Sequence, residues 1–529
     1  MRSAIKLRVI FVALRFPAFL LACWLAAIYS LADSPKPEST SPLQKVTVRV
    51  GKTFQVIDNF GASDCWTMQK IGGWSEPSKN RIADLLFSTT EGIGLTCWRF
   101  NIGAGLDYAH IGEGSWRTAE TFEIAEGQYD WSRQANERWF LGAAKARGVE
   151  QFVAFANSPP ARMTRNGLTY CDDSSDSTNL KEGFEGQYAR YLADILQFLR
   201  DNPDESQRIE FDWVSPINEP QWPWTGNSQE GCRASNDDLK AVIRALDKEL
   251  RARSLSAKIL APESGILYGM RAEHVGLRTL FGEAYGDYLD TFCRDSAYKE
   301  MLGGVICSHS YRNDIVPERL VPERARFREK MKAYPGWRYW QTEYCVMQGP
   351  ENAGGGGRDL GMKTALDVAR VIHADLTVCN ASAWQWWLAV SPHDYKDGLI
   401  YTDYRNPGDA ETIYPSKLLW AFGNFSRFVR PGYTRVSLTG ADDEFGLLGS
   451  AYVSPAKDKV VLVFVNMSAS NKPVSLRFKG CQRGRAIESF TPWITSDSDD
   501  LKEYAPVRAD DVYTVPARSV VTLVSEISR

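Results

Sequence analysis

The chain has 529 residues, a formal net charge of −3 and 44% hydrophobic residues, values typical of a globular protein with a large domain and a smaller one. The mildly acidic balance lacks the basic cluster by which proteins bind nucleic acid, so we expect no nucleic-acid partner. Aromatic residues are frequent, with 17 Trp, 22 Tyr and 24 Phe. We expect most of them to fill the core.

The N-terminus has the pattern of an export signal. Basic residues precede an apolar stretch at 16–31, and Ser30-Leu31-Ala32 offers a small-x-small cleavage site, which predicts a signal peptide over 1–32. A lipoprotein site at Cys23 and a retained membrane anchor are the alternatives. Residues 33–44 are rich in Pro and Ser and predict a linker. We therefore expect a secreted, periplasmic or cell-surface protein with no other membrane association.

Cysteine and histidine spacing indicates no metal centre. The ten Cys and five His form no CxxC pair, no Cys/His cluster and no HExxH, so we expect no metal and no cofactor. Cys171 and Cys232 lie in polar loops and are candidates for a disulfide bond in an oxidising compartment. The sequence leaves their pairing open.

Hydrophobic periodicity divides the rest of the chain into two parts. Residues 46–57 alternate as strands do, and from there to about 429 short apolar runs alternate with amphipathic segments. The predicted strands are 95–102, 151–156, 211–217, 258–261, 304–308, 338–342 and 381–386, and the predicted helices are 134–147, 187–202, 236–253 and 360–378. This pattern predicts an α/β fold with a (β/α)₈ TIM barrel over 59–429. An open doubly wound sheet is the competitor, but no Gly-rich phosphate turn supports it.

Beyond residue 430 the helical pattern stops. Short apolar runs at 460–466, 474–478, 513–515 and 520–525 are separated by turn residues, which predicts a β-sandwich over 430–529. The region is short of strands for a complete sandwich. We therefore expect the strands of 45–58 to complete it, so that both ends of the chain meet in the smaller domain.

Two glutamates each follow an apolar, strand-like run. Glu219 follows predicted strand 211–217, and Glu343 follows predicted strand 338–342. A carboxylate there is costly unless it is hydrogen-bonded or used in chemistry, and residues at the C-terminal strand ends of a barrel converge on one mouth. Such a pair, flanked by aromatic and amide side chains, is typical of glycoside hydrolysis. The alternative for each is a buried salt bridge or a partner to a helix end.

Several stretches, in order along the chain, are similar to glycoside hydrolase family 30, from about residue 45 to the C-terminus. They are 60–66 (FGASDCW), 98–105 (WRFNIGAG), 157–164 (NSPPARMT), 218–221 (NEPQ), 342–344 (TEY), 384–387 (WQWW), 394–399 (DYKDGL) and 423–433 (GNFSRFVRPGY). The resemblance implies a barrel with a side β-sandwich fed by both termini. It also implies a retaining double displacement, with Glu219 as acid/base, Glu343 as nucleophile and Asn218 hydrogen-bonded to the sugar 2-hydroxyl.

Further candidates come from the strand ends. Arg99 is expected either to hold Glu343 ionised or to form a purely structural ion pair. Asp64 and Trp66 are candidates for contact with the sugar in the glycone subsite. Glu263 is the chief rival carboxylate, and we expect it to be a hydrogen-bonding partner in the pocket and not a catalyst.

Aromatic residues supply the remaining candidates. Trp222 and Trp224 are expected to form a leaving-side platform, because the apolar face of a pyranose packs on an indole. His309, Tyr311, Trp384 and Trp387 are candidates for the pocket wall. Trp386 is expected to point outward, toward the helices. His309 is equally well explained as a core histidine. The glycines at 354–357 predict a mobile loop over the mouth.

The resulting hypothesis is a secreted, monomeric, retaining glycoside hydrolase whose partner is an oligo- or polysaccharide. Loops 159–179, 222–224 and 394–399 look most like those of family members that act on β-1,6-linked galactan, which suggests an endo-β-1,6-galactanase. Alternatives within the family are a β-1,6-glucanase and an exo-acting β-glucosidase, β-xylosidase or β-fucosidase. From another class, the alternative is a non-catalytic carbohydrate-binding protein.

Overall fold

The computed structural model describes residues 41–106, 111, 116–171, 178–226, 228–271, 282, 284–312, 317–347, 354–480 and 486–528. The segment Leu43–Arg529 is one compact unit. The expected signal peptide over 1–32 lies outside the described residues, as does most of the expected linker. Among the helices in the described ranges, none combines the length and the apolar composition that crossing a bilayer requires.

Strands belong mainly to two large sheets. Up to residue 415 they are β1 (Gln44–Val56), β2 (Asn59–Ser63), β3 (Cys97–Asn101), β4 (Glu123–Ala125), β5 (Gln128–Tyr129), β6 (Gln151–Phe155), β7 (Trp213–Ser215), β8 (Lys258–Ile259), β9 (Pro262–Ser264), β10 (Val305–Ser308), β11 (Arg338–Gln341), β12 (Ala381–Ser391), β13 (Gly398–Tyr401) and β14 (Tyr414–Pro415). Beyond it they are β15 (Thr434–Thr439), β16 (Leu447–Val453), β17 (Lys459–Asn466), β18 (Lys472–Lys479), β19 (Ala486–Ile487), β20 (Ser489–Thr495), β21 (Lys502–Glu503), β22 (Val507–Arg508), β23 (Tyr513–Val515) and β24 (Ser519–Ser528).

Helices lie between the strands of the first sheet. Those in the described ranges are α1 (Met68–Ile71), α2 (Glu76–Phe87), α3 (Ala135–Ala146), α4 (Glu185–Arg200), α5 (Asn236–Ala252), α6 (Tyr288–Cys293), α7 (Ser296–Met301), α8 (Leu320–Met331), α9 (Met362–Ala374) and α10 (Lys417–Ser426). Helix α5 illustrates their construction: the Ser235 side chain accepts a hydrogen bond from the Asp238 amide and caps the helix N-terminus, and one apolar face is buried.

The first sheet forms a ring of parallel strands. Its order is β8-β7-β6-β3-β2-β12-β11-β10-β9, and each of these neighbours pairs in parallel. Segments β8 and β9 are separated only by Leu260 and Ala261, so they are two parts of one strand and the ring has eight strands. This is a TIM-type barrel. Glu219 follows its fourth strand and Glu343 its seventh.

The barrel interior is apolar at one level and polar at the next. A buried cluster fills the apolar level, with Cys97, Val153, Trp213, Leu260, Val305, Cys307, Trp340 and Ala383. Side chains alternate along a strand, so the residue two positions further points into the same interior, nearer the C-terminal ends. Arg99 follows Cys97 and His309 follows Cys307 in this way. Both are fully buried, and the strand pattern therefore places two cationic side chains above the apolar plug.

The second sheet combines strands from both ends of the chain. Its main order is β21-β20-β24-β17-β16-β15-β1-β18-β23. Strand β1 is antiparallel to β15 and parallel to β18, so it lies inside the sheet and not at its edge. Val46 and Val48 are fully buried in a separate apolar cluster that also includes Val436 and Phe464.

The position of β1 generates a stability prediction. Val48 points into the apolar cluster of the second sheet, whereas its neighbour Arg49 is exposed on the opposite face. We expect Val48→Ala to lower the free energy of unfolding by about 2 kcal/mol because it leaves a cavity, and Arg49→Ala to lower it by less than about 0.5 kcal/mol. Urea unfolding followed by tryptophan fluorescence measures both. Equal effects of the two substitutions would contradict the placement of β1.

Candidate active site

Two glutamates meet at the C-terminal mouth of the barrel. Glu219 follows β7 and adopts a left-handed backbone with φ of 46°, and its amide donates to the Glu263 carbonyl at 3.0 Å. Glu343 follows β11, and the side-chain amide of Gln341 donates to its carbonyl oxygen at 2.5 Å. Both carboxylates are largely buried, at 6% and 3% exposure. The sequence prediction that these two residues converge is confirmed.

Arg99 lies beneath the two glutamates and is fully buried. Its Nη1 donates to Glu343 Oε2 at 2.9 Å, and its Nη2 donates to Glu263 Oε1 at 3.5 Å. The expected contact of Arg99 with Glu343 is therefore present. Burial alone would lower the pKa of Arg99, but Glu263 and Glu343 outweigh this effect and raise it. The guanidinium is a permanent cation in this site.

His309 joins three carboxylates and is fully buried. Its Nδ1 is 2.9 Å from Glu219 Oε1 and 3.5 Å from Glu343 Oε1, and its Nε2 is 3.2 Å from Glu263 Oε2. Burial alone would lower the pKa of His309, but the three carboxylates raise it to about 10. The imidazole is thus a cation at neutral pH, and it is the centre of the site.

The carboxylates differ in their pKa because their surroundings differ. Burial alone would raise the pKa of Glu263, but Arg99 and His309, with a hydrogen bond from Thr342, lower it to about 2. Burial raises the pKa of Glu219, and His309 only partly opposes this. Glu263 is therefore always ionised, as expected for a hydrogen-bonding partner, while Glu219 can carry a proton. One buried acid and one carboxylate at the same mouth can exchange a proton with a bound substrate.

Tyr311 orients Glu343 from the side of β10. Its hydroxyl donates to Glu343 Oε1 at 2.9 Å, and its ring is edge-on to that of His309 at 5.6 Å. Together with Arg99, it occupies both oxygens of the Glu343 carboxylate. Side chains from two other barrel strands, β3 and β10, thus fix the direction of this carboxylate.

A cavity of about 620 Å³ opens above these groups. Carboxylates, arginines, amides, hydroxyls, aromatic rings and sulfur-containing side chains all contribute to its lining. The lining residues are Arg117, Asn218, Glu219, Trp222, Pro223, Trp224, Thr225, Ser228, Gln229, Tyr311, Arg312, Glu343, Cys345, Met347, Trp387, Tyr395 and Asp397. Five of the sequence-predicted site residues line the cavity besides the two glutamates, namely Asn218, Trp222, Trp224, Tyr311 and Trp387. Arg99 does not line it and belongs to the site through its contact with Glu343. The mixture of aromatic and hydrogen-bonding groups suits a hydroxyl-rich ligand.

The expected leaving-side tryptophans lie directly beside Glu219. The Trp224 indole N–H donates to the Glu219 carbonyl at 3.1 Å, and the guanidinium of Arg312 lies 4.9 Å from the ring centre of Trp222. A side chain at Gly265 would overlap both the Trp222 indole and the Glu219 carboxylate. The glycine at this position therefore leaves the space in which the tryptophan and the acid come together.

Trp384 does not belong to the cavity wall, and its assignment as a substrate-stacking residue was wrong. Ala383 and Gln385 point into the barrel, so Trp384 between them points outward. Its indole N–H donates to Asp375 at 2.9 Å and its ring packs edge-on against Phe422 of helix α10. Trp387 lies at a shift in the pairing of β12 with β2, between Trp386 and Leu388, and does face the cavity.

Asp64 and Trp66 lie behind the cavity wall. Asp64 Oδ1 accepts from the Asn101 amide at 2.8 Å, and burial raises its pKa well above its usual value. The Trp66 indole donates to Glu230 at 3.0 Å, and its ring is edge-on to Trp387 at 5.3 Å. Neither residue lines the cavity described above, so direct contact of Asp64 or Trp66 with a sugar stays a prediction.

Sequence reasoning missed several residues of the site. Glu230 is buried beneath Trp66, and burial raises its pKa to about 7 despite three hydrogen bonds. Asp397 lines the cavity, and burial likewise raises its pKa to about 7 against the opposing effects of Ser391 and Arg117. Asp397 belongs to the stretch 394–399 that carried the family resemblance, but no periodicity marks it as a pocket residue.

Cys171 and Cys232 are neighbouring buried thiols in the structure. The Arg233 amide donates to Cys171 Sγ at 3.4 Å, and burial, followed by Cys171, raises the pKa of Cys232. Their pairing in an oxidising compartment stays a prediction.

A group of side chains in the described ranges that could ligate a metal lies within the site itself. Glu219, His309 and Glu343 each offer one atom, and these atoms lie within 4.8 Å of one another. They are the same atoms that the imidazole uses for its hydrogen bonds, and the pKa of about 10 keeps His309 protonated, which is unfavourable for a metal ligand.

Similar proteins share both the fold and parts of the sequence. A 239-residue stretch is 29% identical to the endo-β-1,6-galactanase of Hypocrea rufa, covering 40% of this chain and 48%, about half, of that protein. A glucuronoxylanase of Bacillus subtilis (strain 168) is 24% identical over 416 residues, which is 76% of this chain and 79% of that protein. A conserved exported protein from Bacteroides fragilis has a crystal structure that superposes with a TM-score of 0.80 at 30% identity, covering 91% of this chain and 100% of that one.

A family model covers most of the chain. The model of O-glycosyl hydrolase family 30 matches residues 43–401, which include the whole eight-stranded ring with Glu219, Glu263, His309 and Glu343. The chain therefore belongs to O-glycosyl hydrolase family 30.

Proposed function

We propose that the protein cleaves β-linked polysaccharides with retention of configuration, using Glu219 as acid/base and Glu343 as nucleophile. The observation that carries the proposal is the short distance between these two carboxylates: an oxygen atom of Glu219 lies within 4.8 Å of an oxygen atom of Glu343. A separation of about 5–5.5 Å suits direct attack on the sugar, whereas about 6.5–9.5 Å leaves room for a water molecule.

The two steps use the groups as they are placed. Glu343 attacks the anomeric carbon as Glu219 gives its proton to the departing glycosidic oxygen, which forms a glycosyl–enzyme ester and releases the shortened sugar. A water molecule then gives a proton to Glu219 and its oxygen to the anomeric carbon, which frees Glu343. Asn218 is assigned to the sugar 2-hydroxyl, and its Oδ1 has no hydrogen-bond partner among the described residues.

The raised pKa of Glu219 supports its acid role. A general acid must hold its proton at the working pH, and burial raises the pKa of Glu219 for this purpose. Arg99 and Tyr311 bind both oxygens of Glu343, which keeps that carboxylate directed into the cavity. A carbohydrate-binding protein without activity would not need such different surroundings for its two glutamates.

For the substrate, we propose β-1,6-linked galactan attacked within the chain. Similarity to the endo-β-1,6-galactanase supports this choice over the alternatives of β-1,6-glucan and of exo-acting cleavage. The open cavity beside Trp222 and Trp224 provides room for sugar units on the leaving side. We also propose that the protein is exported and acts as a monomer, and the pattern of residues 1–32 supports export. The second sheet is proposed to form a side β-sandwich, which the pairing of β1 with β15 and β18 supports.

Removal of each catalytic glutamate should give a different product with azide. We expect Glu343→Ala to lower kcat by about 10⁴-fold or more and Glu219→Ala by about 10²–10⁴-fold on an aryl glycoside with a poor leaving group. On an activated aryl glycoside, whose leaving group departs without protonation, azide should restore turnover of the first variant as the α-glycosyl azide and of the second as the β-glycosyl azide, as NMR of the products would show. Glu137→Gln, a buried glutamate outside the cavity, is the control. Unchanged rates in both variants would exclude the assignment.

The pH profile should respond to His309. The imidazolium lowers the pKa of Glu219, so its removal in His309→Gln should raise that pKa further. Because activity is lost as Glu219 loses its proton, the alkaline limb of kcat/KM should move to higher pH. Trp224→Phe removes an uncharged hydrogen bond to the Glu219 backbone and should leave the limb in place. A shift to lower pH in His309→Gln would contradict the electrostatic role.

A panel of polysaccharides tests the substrate. We expect cleavage of linear β-1,6-galactooligosaccharides to products of two or more units, with kcat/KM at least about tenfold above that on β-1,6-glucan or xylan. Chromatography of early products distinguishes internal from terminal attack. Release of monosaccharide alone would favour an exo-acting enzyme, and an intact β-1,6-galactan series would exclude the galactanase assignment.

A further inference from the structure

A short run of glycines supports one wall of the cavity. Gly354, Gly355, Gly356 and Gly357, here called the glycine run, lie beside the loop that contains Tyr395 and Lys396. Gly356 and Tyr395 form an isolated antiparallel bridge, the Lys396 amide donates to the Gly355 carbonyl at 2.7 Å, and the Gly357 amide donates to the Asp394 carbonyl at 3.0 Å. The glycine run is therefore attached to a neighbouring loop, in contrast to the expectation of a mobile flap.

Lys396 strengthens the attachment with its side chain. Its ammonium group donates to the Gly356 carbonyl at 2.6 Å and also to the Gly354 carbonyl. The Arg358 amide, next along the chain, donates to Asp394 Oδ1 at 2.7 Å. A charged donor on two carbonyl oxygens, two backbone–backbone hydrogen bonds and one hydrogen bond from a backbone amide to a carboxylate hold the two segments in one arrangement.

Gly355 has a specific steric role in this arrangement. A Cβ atom at this position would overlap the end of the Tyr395 ring and would lie 2.5 Å from the Val346 carbonyl oxygen. At the neighbouring Gly356, a Cβ atom would meet nothing within 4 Å. The tyrosine ring therefore occupies the space that a side chain at 355 would take.

The supported tyrosine belongs to the cavity. Tyr395 lines it together with Trp387 and Met347, and its hydroxyl lies 4.0 Å from the Met347 sulfur. Met347 follows β11, Trp387 lies in β12 and Tyr395 follows β12, so this part of the cavity wall is on the side of Glu343. Trp222 and Trp224 lie beside Glu219. The cavity thus has aromatic surfaces near both glutamates.

We propose that Tyr395 contacts a pyranose ring of the bound polysaccharide as a specificity-determining residue, and that Gly355 is the positioning residue that sets its ring. This inference rests on the proposed function and extends it to the wall on the Glu343 side. An aromatic ring held in a fixed place binds the apolar face of a sugar with little loss of conformational freedom. Displacement of the ring should therefore weaken substrate binding more than it slows the chemical steps.

Adjacent glycines provide a matched test. Gly355 and Gly356 both lie outside the left-handed region, so alanine is compatible with the backbone at either position, in contrast to Gly354 and Gly357 with φ of 129° and 78°. The variants are Gly355→Ala, Gly356→Ala and Tyr395→Ala. The experiment measures kcat and KM of each on the best polysaccharide of the wild-type panel, with melting temperatures as a check on folding.

The expected result is a split between KM and kcat. Gly355→Ala and Tyr395→Ala should raise KM by about tenfold with kcat changed less than about threefold, whereas Gly356→Ala should match the wild type. An unchanged KM in Tyr395→Ala would overturn the inference, even if Gly355→Ala failed to fold. So would equal effects of the two glycine substitutions. A wild-type protein inert on every sugar would instead overturn the proposed function, and this inference with it.

Discussion

The site depends on the burial of two cations among three carboxylates. Arg99 and His309 are both fully buried, and removing such charges from water costs several kcal/mol for each ion. Glu263, ionised at any working pH, binds both cations and anchors the group. With a proton on Glu219, two cations face two carboxylates and the cluster is neutral. This balance explains why one carboxyl group of the three can keep a proton while its neighbours are charged.

The barrel supplies the geometry for this balance through the alternation of its strands. Cys97 and Cys307 belong to the apolar plug, and two positions later Arg99 and His309 occupy the next level. The same alternation turns Trp384 outward to Asp375 and Phe422. The two cations and three carboxyl groups come from strands 2, 4, 5, 6 and 7 of the ring, so the cluster forms only when these strands are assembled. Catalytic geometry and closure of the barrel are thus one property of the fold.

Much of the architecture could be predicted from the sequence. Strands β6, β10 and β11 and helices α3, α4 and α5 lie within a few residues of their predicted bounds, because their hydrophobic periods are clear. Helices α2, α8 and α10 were not predicted. Helix α8 carries Glu323, Arg324, Arg326, Arg328 and Lys330 among few apolar residues, so its buried side chains give little periodicity. Predicted strand 258–261 overlaps β8 alone, and the same barrel strand continues beyond Leu260 and Ala261 as β9.

The site was predictable in its centre and not at its edges. Glu219 and Glu343 could be recognised because each ends an apolar run beside aromatic and amide residues. His309 was ambiguous, since a buried histidine in a core has the same sequence surroundings as one between carboxylates. Tyr395 and Asp397 follow the last barrel strand in a loop whose conformation depends on hydrogen bonds to the glycine run. No local pattern encodes such contacts between loops, so the wall near Glu343 required the structure.

Strand β1 also constrains how the chain can fold. It is made early in synthesis, but its partners β15 and β18 begin at Thr434 and Lys472, after the whole barrel. Until they emerge, Val46 and Val48 stay exposed to water, and the backbone of β1 has no hydrogen-bonding partner strand on either edge. Pairing over so long a loop is slow, and an open strand edge in a partly made chain invites association with other chains. Efficient production of this protein therefore depends on keeping its first strand unengaged until its last hundred residues have been made.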